Sequence, residues 1–390
     1  MFKKILYKLS VLGDSLKGII ISLIVWILIF FFALMIVHNI LKLGEYSNLY
    51  EGDYKNLVMV DEDKMMNIKV FGATEINEKG EEIVLEGKET IVILPGYGMQ
   101  SPVIQYKAIV DQLKDEYKVA VVEYYGYGFS MNIDKERTNE NIASEVKTAL
   151  ASQDIHEFIL MPHSISNVYA LKMIENYPSS VKAVVSLDGV FPSQYKEVYF
   201  KEQIIDQSTN VKLTDVLENC GFQRYLSYIK PEMFYIDSMK TDGIWGTEEI
   251  KVLRERIALS YLSDTMKKEI EEFGINAAGY TNYKYPNTLP VLQILSKETA
   301  SSYLENKKEG LIEKELKEYA NDLVSNKDIQ LITTVEGNHD LQFTAYQKVA
   351  ELTKEFLTTG KVTETESVEE SDSNTENTVE NKVVEVVVVK

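Results

Sequence analysis

The sequence is poor in the residues that build disulfides and metal sites. Its 390 residues include a single cysteine, Cys220, which excludes an intramolecular disulfide framework and a cysteine-built zinc site. Only four histidines are present, which leaves little room for a histidine-rich metal cluster.

Basic residues are also scarce. The 41 lysines and arginines face 60 acids, and the formal net charge is −19. A chain this acidic repels phosphate, which argues against a general nucleic-acid binder. Only four of the bases are arginines, a lysine bias that hints at an AT-rich bacterial genome. Hydrophobic residues make up 45% of the chain, enough to bury a real core.

An uncharged apolar run covers residues 18–37. As a helix it would be about 30 Å long, which matches the hydrocarbon core of a bilayer. The alternative is a cleaved signal peptide, whose apolar stretch is normally about 7–15 residues and ends at a small-x-small site. The run here is longer and no convincing cleavage site follows it, so we predict an uncleaved transmembrane anchor over residues 18–40.

Lysines on either side of this run predict the topology. Four of them precede the run, whereas only two, Lys42 and Lys55, lie close behind it. The positive-inside rule therefore puts residues 1–17 in the cytoplasm and the rest of the chain outside, as a single-pass protein of the cell membrane. The other end, residues 360–390, is acidic and has no aromatic residue, so we predict a disordered tail.

Between these ends, short apolar β-branched runs alternate with amphipathic helical stripes. The runs cover residues 91–94, 119–123, 158–161, 181–187, 291–295 and 329–334. This alternation predicts an α/β fold with a doubly wound, mostly parallel sheet, preceded by an antiparallel hairpin at residues 57–60 and 66–71. Residues 192–289 carry helical stripes instead and predict a helical cap, so the core comprises residues 45–191 and 290–359. The cap's aromatic residues would mostly pack it on the sheet, and some would line an apolar pocket.

Ser164 lies at a turn between a predicted buried strand and a helix. The local sequence is Pro162-His163-Ser164-Ile165-Ser166. A nucleophile elbow occupies this context, because its strained turn lifts a serine hydroxyl above the sheet. A plain helix N-cap is the alternative for a serine at this position.

Two further motifs follow earlier strands: PGYG at residues 95–98 and EYYGYGFS at residues 123–130. Together with the serine turn, their order and spacing resemble the α/β-hydrolase superfamily, specifically its capped Ser-His-acid members, over residues 57–358. The resemblance implies a Ser164 nucleophile. Backbone N–H groups of Tyr97 and Ile165 would then form the oxyanion hole.

The scarcity of histidine narrows the choice of the base that a serine nucleophile requires. His38 lies in or beside the predicted membrane span, and His156 lies at the opposite edge of the sheet. The side chain of His163 should point away from the Ser164 hydroxyl. His339 follows the last strand, where the superfamily places its catalytic histidine.

The resemblance also implies a carboxylate that orients His339. The superfamily usually supplies it after the penultimate strand, which favours Glu298. Asp188, after the strand that follows the serine helix, is the reserve. We therefore expect a membrane-anchored serine hydrolase, most simply an esterase for a small apolar ester, that requires no cofactor and no metal. The same triad would also serve a peptidase or a carbon–carbon bond hydrolase. A non-catalytic surface binding protein of the same fold is the rival from another class.

Overall fold

A computed structural model of the chain describes residues 2–48, 54–76, 82–84, 87–196, 220–259, 261–300 and 316–362. The predicted acidic tail lies, from residue 363 onward, outside these described residues. Residues 197–219 of the predicted cap also lie outside them.

The chain begins with one long helix, α1 (Phe2–Asn48). Within it, Lys17–Glu45 is long and apolar enough to cross a membrane, with a mean hydropathy of 3.2. Side chains along this stretch, such as Trp26 and Phe30, are exposed. By length and composition it is a candidate membrane anchor or signal sequence.

The body of the protein is an eight-stranded sheet. Its strands are β1 (Leu57–Asp61), β2 (Lys64–Phe71), β5 (Thr90–Leu94), β6 (Lys118–Glu123), β7 (Phe158–Pro162), β8 (Val181–Leu187), β9 (Val291–Ser296) and β10 (Gln330–Val335), and a separate pair is formed by β3 (Thr74–Ile76) and β4 (Glu82–Val84). The spatial order is β1-β2-β6-β5-β7-β8-β9-β10. Within this sheet the pairs β1–β2 and β2–β6 are antiparallel and the others are parallel, and the separate β3–β4 pair is antiparallel. The predicted fold class, including its lead-in hairpin, is confirmed.

The central strands are unbroken apolar runs, because helices cover both faces of the sheet and side chains on both faces are buried. Every residue of β5, β7 and β9 is buried. The helices after α1 are α2 (Pro102–Gln105), α3 (Lys107–Leu113), α4 (Asn139–Ala151), α5 (Ser166–Asn176), α6 (Phe222–Ile229), α7 (Ile236–Asp242), α8 (Thr247–Leu259), α9 (Asp264–Ala278), α10 (Leu316–Asp322), α11 (Leu341–Thr344) and α12 (Tyr346–Thr359).

Helices α6 to α9 lie within the range predicted as a cap. Helix α9 packs into the main apolar core of the sheet, whereas residues in and around α7 and α8 form a second apolar cluster. Trp245, Leu253 and Ile257 of the cap join Ile104 and Phe343 of the core in this cluster. The Trp245 indole N–H also donates a hydrogen bond to the carbonyl of Ile104 at 2.7 Å. These helices therefore lie beside the edge of the sheet where the parallel strands end.

Candidate active site

Ser164 occupies a sharp turn between β7 and α5. Its φ is +56°, a left-handed conformation that is uncommon for a residue with a side chain. The Ser164 N–H donates to the Leu187 carbonyl at 3.1 Å, which ties the turn to the neighbouring strand β8. Gly96 lies against this turn, because a Cβ at position 96 would come within 3.3 Å of Ser164 Cβ. The glycine is thus needed for the close approach of the two loops, and the geometry is that of a nucleophile elbow.

The structure brings three predicted residues into one hydrogen-bonded chain. His339 Nε2 lies 2.9 Å from Ser164 Oγ, and His339 Nδ1 lies 2.7 Å from Asp188 Oδ2. A carboxylate only accepts, so Nδ1–H donates to Asp188 and Nε2 is left to accept from the serine hydroxyl. This is the arrangement in which an imidazole removes a serine proton.

The carboxylate partner of His339 is Asp188, so the preference for Glu298 is corrected. Strand β8 lies next to β7, and Asp188 directly follows β8 with a φ of +39°. This places its carboxylate beside the Ser164 turn. The chain after β9 turns at once into a helical segment. As a result Thr299, not Glu298, presents its side chain to the site, and its hydroxyl donates to Asp188 Oδ2 at 2.7 Å.

The surroundings of Asp188 favour a positive charge on His339. The Asp188 side chain is buried and its Oδ1 accepts from the Ser296 N–H at 2.8 Å. Burial of the imidazole lowers the pKa of His339, but the hydrogen bond and charge of Asp188, helped by Asp340, outweigh it and raise that pKa above 6.5. The imidazolium formed on proton transfer is therefore stabilised.

The two predicted oxyanion donors flank the serine. Ile165 follows Ser164 at the start of α5, and Tyr97 follows Gly96, which packs against Ser164 Cβ. Within the part of the chain that the structure describes, neither backbone N–H donates to a protein acceptor. Both N–H groups thus keep their hydrogen-bonding capacity for a ligand beside Ser164.

His163 has a role that sequence reasoning missed. Its ring is buried, its Nε2 lies 2.9 Å from the His339 carbonyl oxygen, and its Nδ1 lies 2.8 Å from the Tyr106 hydroxyl. Burial, and after it the charge of the neighbouring His339, lower its pKa to about 4, so the ring is neutral near pH 7. Nε2–H then donates to the carbonyl, and Nδ1 accepts from Tyr106, whose oxygen accepts from the Gly96 N–H at 3.3 Å.

This chain of hydrogen bonds connects the Gly96 loop to the loop of His339. In the sequence, this role of His163 was indicated only by its position next to Ser164, directly after an apolar run.

Glu123 explains the motif at residues 123–130. Its buried carboxylate accepts from the N–H groups of Val103 (3.1 Å) and Phe129 (2.6 Å) and from the Asn67 amide (3.0 Å). A Cβ at Gly128 would overlap this carboxylate. The motif thus holds neighbouring loops together instead of entering the chemistry. Among the described residues, no group of three or more His, Cys, Asp or Glu side chains is placed to hold a metal ion.

Comparison with known proteins finds a relative in sequence and solved structures of similar fold. No family model matches the chain. The "Uncharacterized protein YbdG" of Bacillus subtilis (strain 168) is 26% identical over 285 residues, which cover 73% of this chain and 81% of that protein.

Three solved structures illustrate the structural likeness. A variant of a candidate epoxide hydrolase from Pseudomonas aeruginosa, with bound MFA, has a TM-score of 0.53 at 14% identity, covering 78% of this chain and 96% of that one. A candidate α/β hydrolase from Nostoc sp. PCC 7120 has a TM-score of 0.54 at 12% identity, with coverages of 78% and 98%. An α/β hydrolase from a Medee basin deep-sea metagenome library has a TM-score of 0.51 at 16% identity, with coverages of 80% and 100%. The chain has the α/β-hydrolase fold, as the resemblance in sequence implied.

Proposed function

We propose that the protein is a membrane-anchored serine hydrolase that cleaves an apolar carboxylic ester through an acyl-enzyme. The observation that carries the proposal is the chain of contacts from Ser164 Oγ through His339 to Asp188, at 2.9 and 2.7 Å. A serine hydroxyl is a weak nucleophile until a base within hydrogen-bond reach takes its proton, and His339 is within that reach.

In the proposed reaction, Ser164 Oγ attacks the ester carbonyl carbon while its proton passes to His339 Nε2. The resulting oxyanion accepts hydrogen bonds from the N–H groups of Tyr97 and Ile165, and Asp188 stabilises the imidazolium. Cleavage of the ester C–O bond releases the alcohol, which takes the proton from His339. Water, deprotonated by the same nitrogen, then attacks the acyl-enzyme. The bond between the acyl carbon and Ser164 Oγ breaks, the carboxylic acid leaves, and Ser164 Oγ takes the proton back from His339.

The nucleophile type separates this proposal from epoxide hydrolysis. Members of the fold that open epoxides or remove halides use an aspartate nucleophile, whereas position 164 is serine. A serine oxygen that opened an epoxide would form an alkyl ether without a carbonyl carbon for water to attack. An acyl substrate, by contrast, gives an ester intermediate that water can resolve.

Apolar side chains around the turn favour an apolar acyl or alcohol group. Phe191 is fully buried close to the site, since the adjacent Val190 N–H donates to the Ser164 carbonyl at 3.0 Å. From the cap, Leu262 approaches the Gly98 turn, where a Cβ at position 98 would come within 3.6 Å of it. These contacts place aliphatic and aromatic surface beside the proposed oxyanion loop.

Contacts of α1 favour a retained anchor over a cleaved signal sequence. Arg224 of the cap is buried and its guanidinium pairs with Glu45 near the end of α1, with Nη2 to Oε2 at 2.6 Å. Removal of α1 would leave this arginine without its carboxylate, which is costly for a buried charge. With the lysine bias, this supports a cytoplasmic N-terminus and an extracellular hydrolase domain.

The test is labelling of the full-length protein with a fluorophosphonate probe, which reacts with serines activated by a base. We expect labelling of the wild type and of the exposed-serine control Ser144→Ala, and none of Ser164→Ala or His339→Ala. Hydrolysis of p-nitrophenyl butyrate should follow the same pattern. A folded wild-type protein that neither reacts nor hydrolyses the ester would favour the binding-protein alternative.

A further inference from the structure

In helix α6 the polar side chains are buried and apolar side chains are exposed, the reverse of the usual pattern in a helix that faces water. Its buried side chains are polar, namely Gln223, Arg224 and Ser227. Its exposed side chains include Phe222, Tyr228 at 62% exposure and Ile229 at 72%. Water-facing helices show the opposite pattern, with the apolar stripe inward. Met233, in the 3₁₀ turn Pro231–Phe234 between α6 and α7, extends the exposed apolar set.

The buried polar face of α6 packs against the carboxyl-terminal part of α1. Arg224 Nε donates to His38 Nδ1 at 3.1 Å, in addition to its pair with Glu45. The Tyr225 hydroxyl donates to the Leu34 carbonyl at 3.0 Å. Gly221 lies so close to His38 that a Cβ would come within 2.5 Å of its ring. The two helices are therefore fitted to each other by specific contacts.

These contacts fix the depth of α6 relative to a membrane that α1 spans. Leu34 lies three residues inside the end of the apolar run at residue 37, or about 5 Å below that end at 1.5 Å per residue. Glu45 lies eight residues beyond it, or about 12 Å above. Because α6 contacts both residues, it lies at the level where hydrocarbon gives way to headgroups.

We propose that Phe222, Tyr228, Ile229 and Met233, here called the bilayer surface, dock into the lipid leaflet at the carboxyl end of the anchor. The inference rests on the proposal that α1 is a retained anchor. Continuity with the spanning helix selects lipid as the occupant, since α6 lies at the interfacial level of that helix. Aromatic side chains such as those of Phe222 and Tyr228 are favoured at this level, and an apolar helix face lies flat there.

The experiment places a fluorophore on this surface in the full-length protein. In a Cys220→Ser background, Ile229→Cys is labelled with the polarity-sensitive dye NBD and reconstituted into phosphatidylcholine–phosphatidylglycerol vesicles. Lipids with a nitroxide near the top of the acyl chain act as quenchers. Controls are Ile275→Cys, 80% exposed on α9, and Met59→Cys, 55% exposed on β1.

We expect the dye at position 229 to emit at shorter wavelength and to be quenched several-fold more strongly than at positions 275 and 59. Quenching at position 229 no stronger than at the controls would overturn the proposal. A wavelength shift without lipid quenching, or one that depends on the protein-to-lipid ratio, would mean that protein covers the surface and would also overturn it. Repeating the measurement in Ser164→Ala separates the two proposals, because lipid quenching does not require hydrolysis.

Discussion

The Thr299 hydroxyl donates to Asp188 Oδ2 at 2.7 Å, the same oxygen that accepts from His339 Nδ1. Thr299 follows β9 and adjoins Glu298, which the superfamily resemblance favoured as the acid. The carboxylate that contacts His339 is instead Asp188, which follows the neighbouring strand β8, and the Thr299 hydroxyl after β9 donates a hydrogen bond to it. The two strands thus share the task of orienting His339.

Asp188→Asn should lower kcat by roughly 10³–10⁴-fold, because an amide neither fixes the imidazole tautomer nor stabilises its charge. Glu298→Gln, the matched control on the adjacent loop, should leave kcat unchanged. Initial rates with p-nitrophenyl butyrate measure both. Equal losses in the two variants would contradict the assignment of Asp188.

The rate should fall in acid as His339 gains a proton and can no longer act as base. Since the pKa of His339 is raised above 6.5, the acidic limb of kcat/KM should lie above pH 6.5. In Asp188→Asn the raising influence of the carboxylate is lost and burial remains, so the limb should move to lower pH. A pH profile of residual kcat/KM checks this, and a limb that stays in place would point to another titrating group.

Tyr106→Phe should slow fluorophosphonate labelling and lower kcat by about tenfold, since one hydrogen bond is worth up to about 1.5 kcal/mol. The change breaks the link from the Gly96 N–H to His163 without removing the aromatic ring. KM and the acidic limb should stay as in the wild type, because His163 is neutral throughout that range. Tyr177→Phe serves as the control. A loss in KM alone would mean that Tyr106 acts in substrate binding.

Glu269 on α9 should make stability depend on pH. Burial raises its pKa from 4.5 to about 7, although the charge of Arg137 and the hydrogen bond from the Tyr169 hydroxyl act to lower it. Its folded pKa is thus above its unfolded value, so its stabilising contribution is full below pH 4.5 and is lost as pH rises through 7. The loss is on the order of 3 kcal/mol.

Thermal unfolding of full-length protein in detergent tests this dependence. The wild-type Tm should drop between pH 5.5 and pH 8 by more than that of Glu269→Gln, which cannot titrate. Parallel curves for the two proteins would show that Glu269 stays charged in the fold.

The bilayer surface should matter for esters dissolved in lipid. Met233 is followed closely by Tyr235, whose ring stacks on Phe343 at 4.6 Å and whose hydroxyl accepts from Asn338, next to His339. Ile229→Glu should therefore slow hydrolysis of a long-chain ester embedded in vesicles several-fold and leave a water-soluble ester unaffected. Ile275→Glu is the control. Equal effects on both esters would argue for a change within the site.

The sheet could be predicted because most of its strands are unbroken apolar runs. The position of Ser164 at a turn could be predicted because the strand, the turn and the helix are contiguous in sequence. His339 could be predicted as the catalytic base because the sequence has only three other histidines, and each was excluded by its position. The preference for Glu298 over Asp188 was wrong, because both residues follow strands that end at one edge of the sheet and the sequence does not show which carboxylate reaches His339. The outcome depends on the backbone turn after each strand, such as the φ of +39° at Asp188.

Orientation of side chains was likewise beyond the sequence. The sequence predicted only that His163 faces away from the serine hydroxyl. It could not predict the contact of the His163 ring with the His339 carbonyl, because that contact depends on how two loops distant in sequence meet. The exposed face of α6 depends on the anchor helix packed against it.

The strand order has a consequence for heat inactivation. Ser164 and Asp188 follow β7 and β8, two adjacent strands in the interior of the sheet, whereas His339 follows β10, the last of the eight strands. Outer elements open locally at lower free energy than interior ones. Local opening of β10 would move His339 away from the site, whereas Ser164 and Asp188 would stay in position. Activity should therefore decline on warming before the sheet melts, and return on cooling.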